Sequence, residues 1–159
     1  MTFYYFAYGS CMCHIDLTRT MGEDMYKYLV GTAILTGYRL RFTRFSVKRQ
    51  CGVLDIIPDH QQLVEGVLYN LPQRFSVELD KREAVFQQGY RREIIRVKSQ
   101  EKIYHNVRTY VVVNKLSQEI APNQNYSDTV IRGAISAGLS QAYCQRLSAH
   151  MAQLQRQKA

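Results

Sequence analysis

No tryptophan occurs in the chain, and its 159 residues include only three prolines and four cysteines. Acidic residues are also scarce: 13 against 21 Lys and Arg, a formal net charge of +8. Four irregularly spaced cysteines (Cys11, Cys13, Cys51, Cys144) do not make a disulfide framework, so reduced thiols are expected. No apolar run approaches the roughly 20 residues that span a bilayer. The N-terminus lacks a basic region followed by an apolar stretch and a cleavage site. These absences give the expectation of a soluble, cytoplasmic protein. No repeat or linker divides the chain, so residues 1–159 are expected to form one domain, a length that needs no metal or disulfide to fold.

The aromatic run Phe3–Tyr8 reads as a strand. A second strand is expected over Thr32–Val47, where Tyr38, Leu40 and Phe42 alternate with Arg39 and Arg41. Gly52–Pro58 and Leu63–Leu71 flank "DHQQ", which suits a hairpin turn. Pro72, with Asn70 as cap, predicts a helix over Gln73–Phe86 whose apolar stripe is Phe75, Leu79 and Phe86, closed by Gly89. Strands follow at Tyr90–Ser99 and Val107–Asn114. A helix over Ser127–Gly138, capped by Ser127 or Asp128, carries Val130, Ile131, Ala134 and Ile135. Ser140 caps a last helix with Tyr143, Leu147, Met151 and Leu154. Strands first and helices gathered late predict an α+β fold: a largely antiparallel sheet or small barrel flanked by helices.

Among residues able to carry chemistry, "YGSCM" joins a strand to a short helix over Cys13–Met21. Gly9 permits a positive φ and a close backbone approach. The amides exposed there suit a carboxylate or a developing oxyanion, although a plain strand-to-helix turn has the same local sequence. In "LDKREAVF", Glu83 lies at one margin of the apolar stripe and Arg82 at the other. A carboxylate there is partly desolvated and suited to general-base work, or else it pairs with a neighbouring arginine; periodicity does not separate Glu83 from Arg82. Cys11, Cys13 and His14 lack the second ligand pair of a zinc site, which argues against metal; Cys11 is expected to be an exposed, reactive thiol. In "YRLRFTRFSVKR" arginines interleave with aromatics, as in single-strand nucleic-acid platforms. On a strand, however, the basic and stacking groups face opposite ways, which weighs against nucleic acid as a partner.

"YFAYGS", "LDKREAV", "YRREIIRV", "VRTYVVVN" and "YSDTVIRGAISAGLSQAYCQRL", in this order, resemble the gamma-glutamylcyclotransferase-like family, which includes the avirulence-induced-gene-2-like proteins. The likeness runs from Phe3 to about Leu154 and is weaker toward the glutathione-specific branch. It implies a small, mixed, mostly antiparallel β-barrel and a cyclising reaction. In that reaction the α-amine of a γ-glutamyl group attacks its own γ-carbonyl, releasing 5-oxoproline and an amine or amino acid without cofactor or metal. By resemblance, Glu83 is the acid/base. The amides of Gly9, Ser10, Cys11 and Met12 would cradle the γ-glutamyl group, Tyr8 and Ser10 would shape the loop, and Tyr126 would border the substrate. A homodimer is a further expectation from the resemblance. Two residues depart from the family's pattern: Cys11 stands where Tyr-Gly-Ser-Asn is usual, and Ala84 where Glu-Gly is usual. The second is expected to be harmless on a helix. A non-catalytic small-ligand or protein-binding module of the same fold, or a basic nucleic-acid-binding domain, are the alternative readings.

Overall fold

The computed structural model describes residues 1–158. Its five strands, β1 (Thr2–Ala7), β2 (Leu29–Ser46), β3 (Cys51–Pro72), β4 (Tyr90–Ser99) and β5 (Lys102–Val112), close into a barrel in the order β1-β3-β2-β4-β5. All neighbours are antiparallel except β1 and β5, which run parallel and seal the barrel at Tyr5 and Arg108. Four helices flank it: α1 (His14–Met21), α2 (Ser76–Arg82), α3 (Gln124–Ala137) and α4 (Gln141–Lys158). The expected α+β barrel is thus the one observed. No helix among the described residues is long and apolar enough to cross a membrane.

Burial runs through successive residues of β1, β3 and β5, so both faces of these strands are covered over part of their length. Phe6, Phe42, Ile56, Leu68 and Tyr69 are fully buried and share one core with Leu17, Leu79 and Met151 from the helices. "DHQQ" is not a hairpin turn. The strand continues through it, because Thr36 pairs with Leu63 and Tyr38 with Pro58, so residues 59–62 stand opposite Gly37 alone. This is an enlarged bulge of β3 in a continuous ladder, and Gly37 opposite it on β2 has a positive φ of +85. The real hairpin lies earlier, at residues 47–50 between β2 and β3.

The helix expected over Gln73–Phe86 is shorter. A 3-10 turn (Gln73–Phe75) leads into α2, which ends at Arg82. Asn70 lies within β3, opposite Tyr4, and caps nothing. Phe86 is 70% exposed, outside the stripe of Phe75 and Leu79. The stop is a Schellman motif: the Val85 N–H donates to the Asp80 carbonyl and the Ala84 N–H to that of Lys81. Ala84 takes the left-handed position at φ +51. It is therefore not on a helix, and alanine is not harmless there, since a Cβ in that region costs about 1–2 kcal/mol. Ala84→Gly is expected to raise stability by about 0.5–1 kcal/mol after allowing for glycine's larger unfolded-state entropy. A thermal melt that does not move upward would contradict this.

The later helices also differ in detail. α3 begins before Ser127 because the Asn123 side chain accepts from the Tyr126 N–H, satisfying an end amide. Ile135 points outward, 63% exposed. The Ser140 hydroxyl does cap α4, accepting from the Tyr143 N–H at 3.2 Å.

Candidate active site

β1 runs out at Ala7, and the chain turns through Tyr8 and Gly9 into a 3-10 turn over Ser10–Met12. Within it the Met12 N–H donates to the Gly9 carbonyl and the Cys13 N–H to that of Ser10. Met12 is buried in the core with its amide already engaged. Among the described residues the amides of Ser10 and Cys11 take no partner. Gly9 has φ −122, not a positive value. An added Cβ would stand in a tight contact 3.3 Å from the Tyr126 hydroxyl and in ordinary contact with Leu54 at 3.7 Å.

α3 backs this turn. A Cβ on Gly133 would lie 2.5 Å from the Cys13 nitrogen and 2.8 Å from the Met12 carbonyl carbon. Neither is a flexible side-chain end, so the turn itself would have to move. Gly133→Ala is expected to cost about 1–3 kcal/mol, as overpacking does, and to raise KM for any ligand held by the turn. Wild-type melting and kinetics in this variant would show the contact to be slack.

The Schellman turn delivers Glu83, the C-cap of α2, to the same place. The structure thereby brings Tyr8, Gly9, Ser10, Cys11, Glu83 and Tyr126 around one cavity of about 50 Å³, together with Tyr5, Leu54, Tyr90, Thr109 and Tyr110. Of the seven residues that the resemblance assigns to the site, Met12 alone is not in its wall. The tyrosine hydroxyls are tied to backbone: Tyr8 donates to the Tyr110 carbonyl, Tyr90 to the Leu54 carbonyl, and Tyr126 accepts from the Leu54 N–H. These bonds hold the rings as rigid walls.

Glu83 lines both this cavity and a wider outer cleft of about 370 Å³. Burial raises the pKa of its carboxyl above the ordinary value of 4.5, against the opposing pull of Arg82 and a hydrogen bond from Cys11. The Cys11 thiol donates to Glu83 Oε1 at 3.8 Å. Cys11 is buried rather than exposed, and burial pushes its thiol up to about 11, so it is not a reactive thiolate. Among the described residues no group of three or more His, Cys, Asp and Glu side chains is placed to hold a metal ion.

Arg82 is the residue that sequence reasoning could not separate from Glu83, and the structure gives the two distinct places. Its Nε donates to Cys11 Sγ at 2.9 Å, and its Nη2 to Ser10 Oγ at 3.0 Å and to Asp16 Oδ2 at 2.7 Å. One guanidinium thus clamps the turn to α1, with Thr20 as a further acceptor. Burial opposes the ionisation of Asp16, but Arg82 and Arg49 prevail and hold its carboxyl below the usual range. Asp80 does the equivalent work for α2, taking Arg92 through both oxygens and the Tyr110 hydroxyl at 2.6 Å. Neither Asp16 nor Asp80 carries a sequence signal, because both partners are remote in the chain.

A closed five-strand barrel with helices on its outside is the architecture of the gamma-glutamylcyclotransferase fold. The chain belongs to the AIG2-like family, whose model matches residues 63–147. It is 36% identical over 148 residues to the Bacillus subtilis (strain 168) protein named "Putative gamma-glutamylcyclotransferase YkqA". That match covers 93% of this chain and 52% of YkqA, so the chain spans about half the length of this relative. The crystal structure of YkqA superposes with a TM-score of 0.86 at 34% identity, over 95% of this chain and 54% of that one. A solved gamma-glutamyl cyclotransferase shares the fold at 24% identity with a TM-score of 0.85, covering 94% of this chain and 88% of its own.

Proposed function

We propose that the chain is a γ-glutamyl cyclotransferase, with Glu83 as the proton carrier. The observation that carries this reading is the raised carboxyl of Glu83 in a cavity also lined by Ser10 and Cys11, whose amides take no partner among the described residues. The name of YkqA supports it at the level of the family.

The α-amine of a γ-glutamyl compound is mostly protonated at neutral pH and must lose a proton to become a nucleophile. Glu83 takes that proton. The amine nitrogen then attacks the γ-carbonyl carbon, and the carbonyl π-pair moves onto oxygen. The amides of Ser10 and Cys11, with Gly9 allowing close approach, face the resulting oxyanion; a preset donor of this kind is worth about 3–4 kcal/mol. Glu83 passes its proton to the leaving nitrogen, the original C–N bond breaks, and the proton left on the ring nitrogen returns to the carboxylate. The products are 5-oxoproline and a free amine. Tyr8, Tyr90 and Tyr126 hold the substrate folded so that the five-membered ring can close, the positioning contribution.

Incubation with a panel of γ-glutamyl amino acids and amines, with detection of 5-oxoproline, tests the reading. Release of 5-oxoproline from at least one member is expected. Binding of γ-glutamyl compounds without release would instead indicate a non-catalytic module.

A further inference from the structure

Outside the small cavity, the wider cleft is lined by five cations, Arg44, Lys48, Arg49, Lys81 and Arg82. The only acidic residue in its wall is Glu83, at the boundary with the inner cavity. Two of the five cations are engaged with Asp16: Arg82 at 2.7 Å and Arg49 at 3.0 Å. Lys81 pairs with the exposed Glu78. Among the described residues Arg44 and Lys48 have no acidic partner within 4.0 Å.

These groups are not merely a solvated basic edge. The Arg44 guanidinium lies over the Tyr90 ring at 5.4 Å, and that of Arg49 over the Tyr126 ring at 5.3 Å. Both tyrosines wall the inner cavity, so its mouth opens between two arginine–tyrosine stacks. Gly89 leaves the room that Arg44 occupies, since a Cβ there would stand 2.6 Å from Nη2. A guanidinium stacked on an aromatic face keeps its in-plane N–H groups free for a carboxylate. An adjoining cleft adds Arg19 and Asp16 and shares Lys48, Arg49 and Arg82. Cations outnumber carboxylates in both walls, and such an excess focuses the field on whatever enters.

Resting on the cyclotransferase reading, we propose that the amine released by this protein is acidic, carrying a carboxylate beyond the one that every α-amino acid has. The inner cavity of about 50 Å³ is far smaller than the cationic cleft of about 370 Å³ into which it opens, so the leaving portion of the substrate is assigned to that cleft. Arg44 and Lys48, both without an acidic partner among the described residues, offer two cationic contacts in this cleft, which suits a leaving group with two carboxylates, such as glutamate or a longer γ-linked acidic peptide. A cationic leaving amine would meet the same field as repulsion.

The test compares kcat/KM for 5-oxoproline release from γ-glutamyl-glutamate, γ-glutamyl-alanine and γ-glutamyl-lysine, with a γ-linked glutamate trimer to separate single residues from longer chains. The acidic dipeptide is expected to exceed the alanine one by about tenfold, the worth of one charge-assisted contact. That ratio should shrink as added salt shortens the screening length. Arg44→Gln and Lys48→Gln should each reduce the acidic-to-neutral ratio, mainly through KM. Equal rates for all dipeptides overturn the inference and leave the cyclotransferase reading standing. Calorimetry with the Glu83→Gln protein makes the comparison without turnover. If no compound yields 5-oxoproline, tighter binding of γ-glutamyl-glutamate than of γ-glutamyl-alanine still supports the cleft's assignment. Equal affinities, or no binding of either, overturn it.

Discussion

Glu83→Gln is expected to lower 5-oxoproline release by about 10²–10⁴-fold, the usual worth of a positioned proton carrier. The amide keeps the shape of the carboxyl and its place at the end of α2, so loss of fold would not explain the deficit. The same substitution is expected to stabilise the protein at neutral pH. The folded-state pKa of Glu83 lies above its unfolded value, so the native state binds the extra proton between the two. Stability from this group is therefore full below the unfolded pKa and falls as pH rises through the folded one. Gln carries no such cost, so the variant should melt higher than wild type at pH 7 to 8 and equally at pH about 4, near the ordinary carboxylate pKa. In the wild type, kcat/KM should fall on the acid side through a pKa above the ordinary carboxylate range, where Glu83 is no longer a base. Turnover undiminished in Glu83→Gln would remove it from the mechanism.

Arg82→Met should be the most damaging substitution for the structure of the site. The Arg82 side chain is 9% exposed and that of Asp16 15%, and the guanidinium also carries Ser10 and Cys11. Removing one member of a buried pair leaves the other uncompensated, typically at about 3–5 kcal/mol. The low end is expected here because Asp16 keeps Arg49. Arg82→Lys retains the charge but not the fork, so it should recover much of the stability and little of the activity. Adding Asp16→Asn to Arg82→Met relieves the stranded charge and should restore part of the melting temperature while kcat/KM stays low. If stability and activity instead recover together, Arg82 is only a structural ion pair and does not position the turn.

Most strand positions were legible from aromatic and β-branched runs between turn residues, but these left an open antiparallel sheet and a barrel equally possible, and the resemblance supplied the closure. Gly9 and Ser10 mark a break in the aromatic run, whereas Glu83 shares the margin of its stripe with Arg82 and, like Tyr8, is singled out only by the family resemblance. The end of α2 was not legible. The residues after Arg82 have ordinary helix propensities, and the C′ position holds Ala84 instead of the glycine that normally announces a Schellman stop. Phe86 then mimicked a continuing stripe. "DHQQ" misled in the opposite way, since a polar run within a bulge resembles a polar turn, and only the pairing of Tyr38 with Pro58 separates them. The burial of Cys11 and the clamp by Arg82 depend on contacts between residues some 70 positions apart, which local pattern does not encode.

The parallel closure of β1 on β5 has a kinetic consequence. Tyr5 meets Arg108 across most of the barrel-forming sequence, and the cavity's walls come from β1, β3, β4, β5 and α3 together. Such distant pairing places the chain among folds that form on millisecond-to-second rather than microsecond times. No partly made barrel would hold half a site, because Tyr5, Tyr8 and Cys11 have nothing to face until Thr109, Tyr110 and Tyr126 arrive. A ligand bound in the cavity would therefore report the assembled barrel, and refolding followed by its capture would time the completion of that barrel.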